Sequence, residues 1–203
     1  MAFFTRYYKK HSPLVGLFLN LITGFLLCLV LGSSVALAAT SSIEIKQAEL
    51  QVADEFYLLN AEINIIFDAE IEEAINKGVP LHFLIEFQVV SPRKYWFDDE
   101  IITTTNRVTL SYHALTRQYL VNRDTHQKSF ETLSEAADEL THLTDLKVFE
   151  KSLLEKEGIY KAALLMRLDQ TKLPKAIQVD AIASEKWNLS SQKYVWPLKD
   201  LTK

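Results

Sequence analysis

Cysteine, glycine and basic charge are scarce in this chain, and each scarcity excludes a class of function. The 203 residues contain one cysteine and five glycines. Cys28 lies within an apolar N-terminal run, so everything downstream lacks both disulfides and thiol chemistry. Cys28 also fails as a lipid-attachment site, because Leu27 precedes it where a small residue is needed. Beyond residue 38 only Gly78 and Gly158 remain, too few for a loop that cradles phosphate. Three of the 22 basic residues and none of the 26 acidic ones fall within positions 1–38. The rest carries 19 basic against 26 acidic side chains, a formal net of −7. Such a surface repels a phosphate backbone, and nucleic acid is not an expected partner.

The first 38 residues have the order of an export signal. Arg6, Lys9 and Lys10 precede an apolar run from Pro13 to Leu31, broken only by Asn20 and Thr23. Gly32-Ser33-Ser34 and then Ala36-Leu37-Ala38 follow. A peptidase that accepts small side chains at two alternating subsites would use Ala36 and Ala38 and cut after Ala38. The apolar run is also near the ~20 residues that span a bilayer, so retention as an N-terminal anchor is the alternative. In both cases the segment engages a membrane, and the basic flank stays on the cytoplasmic side. Residues 39–203 are expected to form a single exported domain, periplasmic or anchored at the inner membrane.

Alternation dominates that domain. Tyr57, Leu59, Ala61, Ile63, Ile65 and Phe67 are apolar, with Asn60, Glu62 and Asn64 between them. This period of two puts one face on a core and the other in water. Leu81, Phe83, Ile85, Phe87 and Val89 repeat the pattern. Ile43 and Ile45 are out of phase with Ala48, Leu50 and Val52, which predicts a bulge near Gln47. Further strands are expected at 101–112, 117–121, 160–168, 176–182 and 193–198, with a hairpin turn at His113–Thr116. Two short amphipathic helices interrupt them. Asp68 caps one over residues 69–77, ended by Gly78. Thr132 and Glu135 have capping-box spacing for the second. About eight strands and two helices make a mainly β fold, a single antiparallel β-sandwich. An Ig-like arrangement or a partly open barrel is the alternative.

No catalytic or metal-binding constellation stands out. His82, His113, His126 and His142 show no ligand spacing, and no G-x-S-x-G is present. No cofactor is expected. The most unusual stretch is Arg93-Lys94-Tyr95-Trp96-Phe97-Asp98-Asp99-Glu100, which follows Pro92 between two strands. Adjacent aromatics flanked by charge would anchor a partner, with Arg93, Tyr95, Trp96, Phe97 and Asp98 as the candidate surface. The alternative is that two of the rings complete the core while the charges solvate a turn. Asp98 and Asp99 would serve acid–base or calcium chemistry only if they converged, and neighbours on a strand point to opposite faces. Tyr112, Tyr119, Trp187 and Trp196 are expected as core aromatics, the two tryptophans in part exposed.

Leu110-Ser-Tyr-His-Ala-Leu-Thr-Arg-Gln-Tyr119 and Leu173-Pro-Lys-Ala-Ile-Gln-Val-Asp-Ala181, followed by Trp187, resemble an exported proteobacterial family known as a domain of unknown function. The resemblance covers roughly residues 43–198. It implies a bacterial envelope protein working near a membrane sensor kinase, and it carries no catalytic residues. A non-enzymatic interaction or sensor-accessory module, with an envelope or membrane protein as partner, is the expected function. A periplasmic binder of small apolar ligands is the alternative, and a hydrolase of envelope polymers is a third class.

Overall fold

The computed structural model describes residues 40–95, 97–155, 158–183 and 185–198. The expected cleavage site at Ala36 and Ala38, and Trp96, lie outside the described residues. In chain order the elements are β1 (Ser42–Ala53), β2 (Phe56–Ile66), α1 (Ala69–Asn76), β3 (Leu81–Ser91), β4 (Asp99–His113), β5 (Gln118–Arg123) and β6 (His126–Phe130). There follow α2 (Leu133–Thr141), β7 (His142–Glu150), β8 (Tyr160–Leu168), α3 (Lys175–Ala183) and β9 (Tyr194–Leu198).

The strands form two antiparallel sheets, one ordered β1-β2-β7 and the other β6-β5-β4-β3-β8-β9. They pack as a β-sandwich and do not close, which sets the barrel alternative aside. The core lies between them. Tyr57, Leu59, Ala61 and Ile63 of β2 point inward against Phe83, Ile85, Phe87 and Val89 of β3, and Ala162, Leu164 and Met166 of β8 continue the layer. Phe67 meets Phe83 at 6.4 Å between ring centroids. Phe149 stacks on Tyr57 at 4.6 Å and on Phe87 at 5.9 Å. Rings thus pack on β3 near its start and again at its middle. The expected bulge is present, with a register shift between Ile45 and Gln47.

Both expected helices form with the caps their sequences specify. Asp68 accepts from the Ile71 backbone N–H at 2.9 Å. Thr132 and Glu135 exchange both bonds of a capping box. Gly78, which follows α1, adopts φ +87, a left-handed conformation that glycine takes without a Cβ penalty. Ile71, Ala74 and Ile75 bury one side of α1, and Ala136 and Leu140 bury one side of α2.

Three expectations need correction. Residues 176–182 are helical, within α3, and not a strand. Ile177, Val179 and Ala181 would share a face on a strand, yet Val179 is exposed while Ile177 and Ala181, one helical turn apart, turn inward. Pro174 sits at the start, where its missing N–H costs a helix nothing, and its carbonyl accepts from the Gln178 N–H at 2.9 Å. Strands β6 and β7 were not expected. In β6 only Phe130 is even partly buried, so this edge strand has no alternation to read. In β7 the register slips around Thr144, where Asp145 takes φ +52, and Val148 and Phe149 are buried consecutively. Finally, Trp187 is a core aromatic as expected but lacks the partial exposure expected of it, while Trp196 is, as expected, half-buried, against Phe87.

Candidate functional site

The stretch singled out by composition is the connection between β3 and β4, and its backbone is a hairpin closed by the Ser91–Asp99 pair. The charged residues at its base hold it together. The Arg93 guanidinium pairs with the Asp99 carboxylate, and the Arg93 backbone N–H donates to Asp98 Oδ1 at 3.3 Å. Pro92 fixes one φ before this clasp. The Lys94 ammonium lies 5.5 Å from the Tyr95 ring centroid, within cation–π range.

Clasped in this way, the hairpin holds Tyr95 and Phe97 in solvent. Tyr95 and Phe97 are each 86% exposed. Of the three consecutive rings at most one can serve the core, so the reading in which two of them complete it is not what the structure shows. Exposure of a phenylalanine to this degree has no role in stability, because its apolar area stays in water. Asp98 and Asp99 do not converge on a common point. One tethers a backbone N–H and the other pairs with arginine, and both bonds serve the loop itself.

Elsewhere several ionisable residues have structural partners. His82 lies on the outer face of β3, with Nδ1 2.9 Å from Thr109 Oγ1. Its pKa is lowered by burial, with the Asp169 carboxylate acting in the opposite direction and Lys172 adding to the depression. His113 pairs with Thr116 Oγ1 at 3.0 Å inside the turn. Arg123 reaches the last turn of α2, donating to the carbonyls of Glu139 at 3.1 Å and Leu140 at 3.3 Å. These bonds offset the negative end of the helix, and burial lowers the arginine's pKa. Among the described residues no three His, Cys, Asp or Glu side chains approach closely enough to hold a metal. Three clefts of about 390, 530 and 590 Å³ lie at the margins of β7 and α2. Their linings are dominated by polar and charged side chains such as Gln47, Glu62, Lys128 and Asp145.

Comparison with known families now places the chain. A family model described as Domain of unknown function (DUF4390) matches residues 40–197. The chain belongs to the DUF4390 family. The match spans all nine strands up to Pro197, so the sandwich and its β3–β4 hairpin lie within the DUF4390 domain. No curated protein and no solved structure matches the chain. No helix among the described residues is long and apolar enough to cross a membrane.

One feature of the DUF4390 domain escaped sequence reasoning. Leu153 and Ile159, in the connection from β7 to β8, are also large apolar residues held in solvent. They flank a short loop in which the Glu155 N–H donates to the Tyr160 hydroxyl at 3.1 Å. A Cβ on Gly158 would meet the tip of the Tyr160 ring, which would have to shift to admit it. The only sequence signal was this isolated glycine beside an isoleucine.

Proposed function

We propose that this chain is a non-enzymatic interaction module of the bacterial cell envelope, an accessory to a membrane-bound protein such as a sensor kinase, and that it docks through the β3–β4 hairpin. The observation that carries this reading is the pair Tyr95 and Phe97, each 86% exposed on a connection clasped by Arg93. A pre-ordered loop loses little conformational entropy on binding, and desolvating an aromatic anchor contributes on the order of 2 kcal/mol. The flanking Lys94 and Asp98 keep the rings soluble between encounters. Export, in this reading, is the task of residues 1–38, which carry the domain to the periplasmic side.

The test is a comparison of the full chain with its Tyr95→Ser/Phe97→Ser variant, each purified from membranes of the cells that produce it. The expected result is a stoichiometric membrane partner with the natural chain and its loss with the variant, at an unchanged thermal midpoint. A variant that unfolds at markedly lower temperature, with no separate binding defect, places the two rings in a structural role and ends the proposal.

A further inference from the structure

The exposed apolar side chains are unevenly distributed over the sandwich. Ser42 pairs with Ile66, so β1 begins where β2 ends. The Ser41 hydroxyl there accepts from the Asp68 N–H at 2.8 Å, and Phe67 packs on Phe83 near the start of β3. The chain therefore comes into the domain at the end where β3 begins. The opposite end is about 35 Å away along the 11 residues of β3, at 3.2–3.4 Å per residue. That far end is built from three connections tied to each other. The Lys151 N–H donates to the Glu55 carbonyl at 2.9 Å, joining the β7–β8 connection to the β1–β2 turn. Val90 pairs with Lys161, joining it to the base of the aromatic hairpin.

Six large apolar residues stand in solvent at this end: Tyr95, Phe97, Ile159 (76% exposed), Leu153 (54%), Val52 (43%) and Ile101 (42%). Four others are exposed among the described residues: Ile66 and Leu115 at the end where the chain comes in, Val179 on α3 and Val195 on the edge strand β9. Among the described residues, charge at the far end leans acidic: Asp54, Glu55, Asp98, Glu100, Glu150 and Glu155 stand there against Lys94, Lys147, Lys151 and Lys161, since Arg93 and Asp99 neutralise each other.

We infer that the whole far end, and not the β3–β4 hairpin alone, is one docking surface, and that its occupant is a protein presenting an apolar ridge or pocket rimmed by lysine and arginine. This rests on the reading given under Proposed function and adds Leu153 and Ile159 to it. The acidic surround decides the chemistry. An anionic bilayer repels it, because membrane-surface docking draws on clustered Lys and Arg. A second copy of the chain would bring the same acidic rim against itself, whereas a basic rim on a partner complements it.

A benzophenone amino acid introduced into the full chain in place of Phe97, Leu153 or Ile159 tests this in the producing cells. Leu115 and Val179 serve as control positions. All three test positions should cross-link to the same protein, the controls should not, and the cross-linked peptide should be apolar with Lys or Arg on its flanks. Leu153→Ser/Ile159→Ser should lower the yield of the Phe97 adduct about tenfold, at an unchanged level of folded protein. An adduct of phospholipid mass, an adduct of twice the chain's own mass, or a contact peptide with acidic flanks overturns the inference. An adduct from Phe97 alone, insensitive to Leu153→Ser/Ile159→Ser, overturns it while leaving the hairpin reading standing. Absence of adducts from all three positions ends both.

Discussion

The Thr104 hydroxyl donates to the Val148 carbonyl at 2.9 Å, and this bond runs from one sheet of the sandwich to the other. It sits where β7, an edge strand, passes over β4, and it satisfies a carbonyl that the β2–β7 ladder leaves unused. Thr104→Val keeps the shape and removes the donor. We expect a loss of about 1 kcal/mol, a fall in thermal midpoint of roughly 2–4 °C. Calorimetry of the natural and substituted chains checks it. No change would mean that water serves the Val148 carbonyl equally well.

The inward and outward faces of β2 and β3 make a sharper test. Ile63 and Phe83 are buried in the core, whereas Asn64 is half-exposed and Gln88 bonds the Lys193 ammonium at 2.7 Å on the outer face. Ile63→Asp or Phe83→Asp buries an unpaired charge and should abolish cooperative unfolding. Asn64→Asp and Gln88→Asp should leave the transition in place, since Gln88→Asp sets a carboxylate near Lys193. Circular dichroism on heating separates the two pairs.

The ends of the helices offer a third measurement. Thr132→Ala removes the hydroxyl from the α2 capping box and should cost about 1 kcal/mol. Gly78→Ala forces a Cβ into φ +87 and should cost a further 1–2 kcal/mol or so. Although the nearest atom to that Cβ, the Tyr112 carbonyl oxygen, is at an ordinary 3.9 Å, the backbone conformation remains unfavourable. Urea midpoints of both variants should fall with unchanged slope.

Stability should also depend on His82. Burial disfavours its charged form, so its folded pKa lies below the unfolded value of about 6.5. The unfolded chain then binds the proton more readily. The contribution is complete above the unfolded pKa and is lost as pH falls from there through the folded one. His82→Gln should flatten this part of the profile of thermal midpoint against pH. An unaltered slope between pH 7 and 5, in round numbers, would assign that dependence to other groups.

Processing is tested at the N-terminus. If Ala36 and Ala38 mark a cleavage site, the mature protein begins at Ala39 and Ala38→Leu blocks maturation. Recovery of Met1 in the membrane fraction would instead identify the run from Pro13 to Leu31 as an anchor.

Legibility from sequence followed periodicity closely. Where one face is buried and the other wet, as in β2 and β3, alternation located the strand and its inward residues. The change of phase at Ile45–Gln47 located the bulge. Caps were equally readable, because Asp68 and Thr132 act on neighbours three residues away. What could not be read was structure set by distant contacts. β6 forms because β5 offers a free edge, not because His126–Phe130 alternates. Ala176–Ile182 fits both a strand and a helix over so short a span, and Pro174 together with burial of Ala181 decided for the helix. The aromatic hairpin was visible as composition, but the exposure of Tyr95 and Phe97 was not. Leu153 and Ile159 gave no signal beyond the isolated Gly158, because only the fold brings their connection beside Tyr95 and Phe97.

The central position of β3 carries a consequence for how the chain folds. β3 pairs on one side with β4, its neighbour in sequence, and on the other with β8, where Phe83 meets Leu168. Its second ladder cannot form until nearly the whole polypeptide is present. Until then Phe83, Phe87 and their neighbours lie in a strand with an unprotected edge, the kind of intermediate that aggregates. A chain halted before Tyr160 should therefore remain unfolded, a delay that would serve the export proposed above, since a translocated polypeptide passes its channel in extended form.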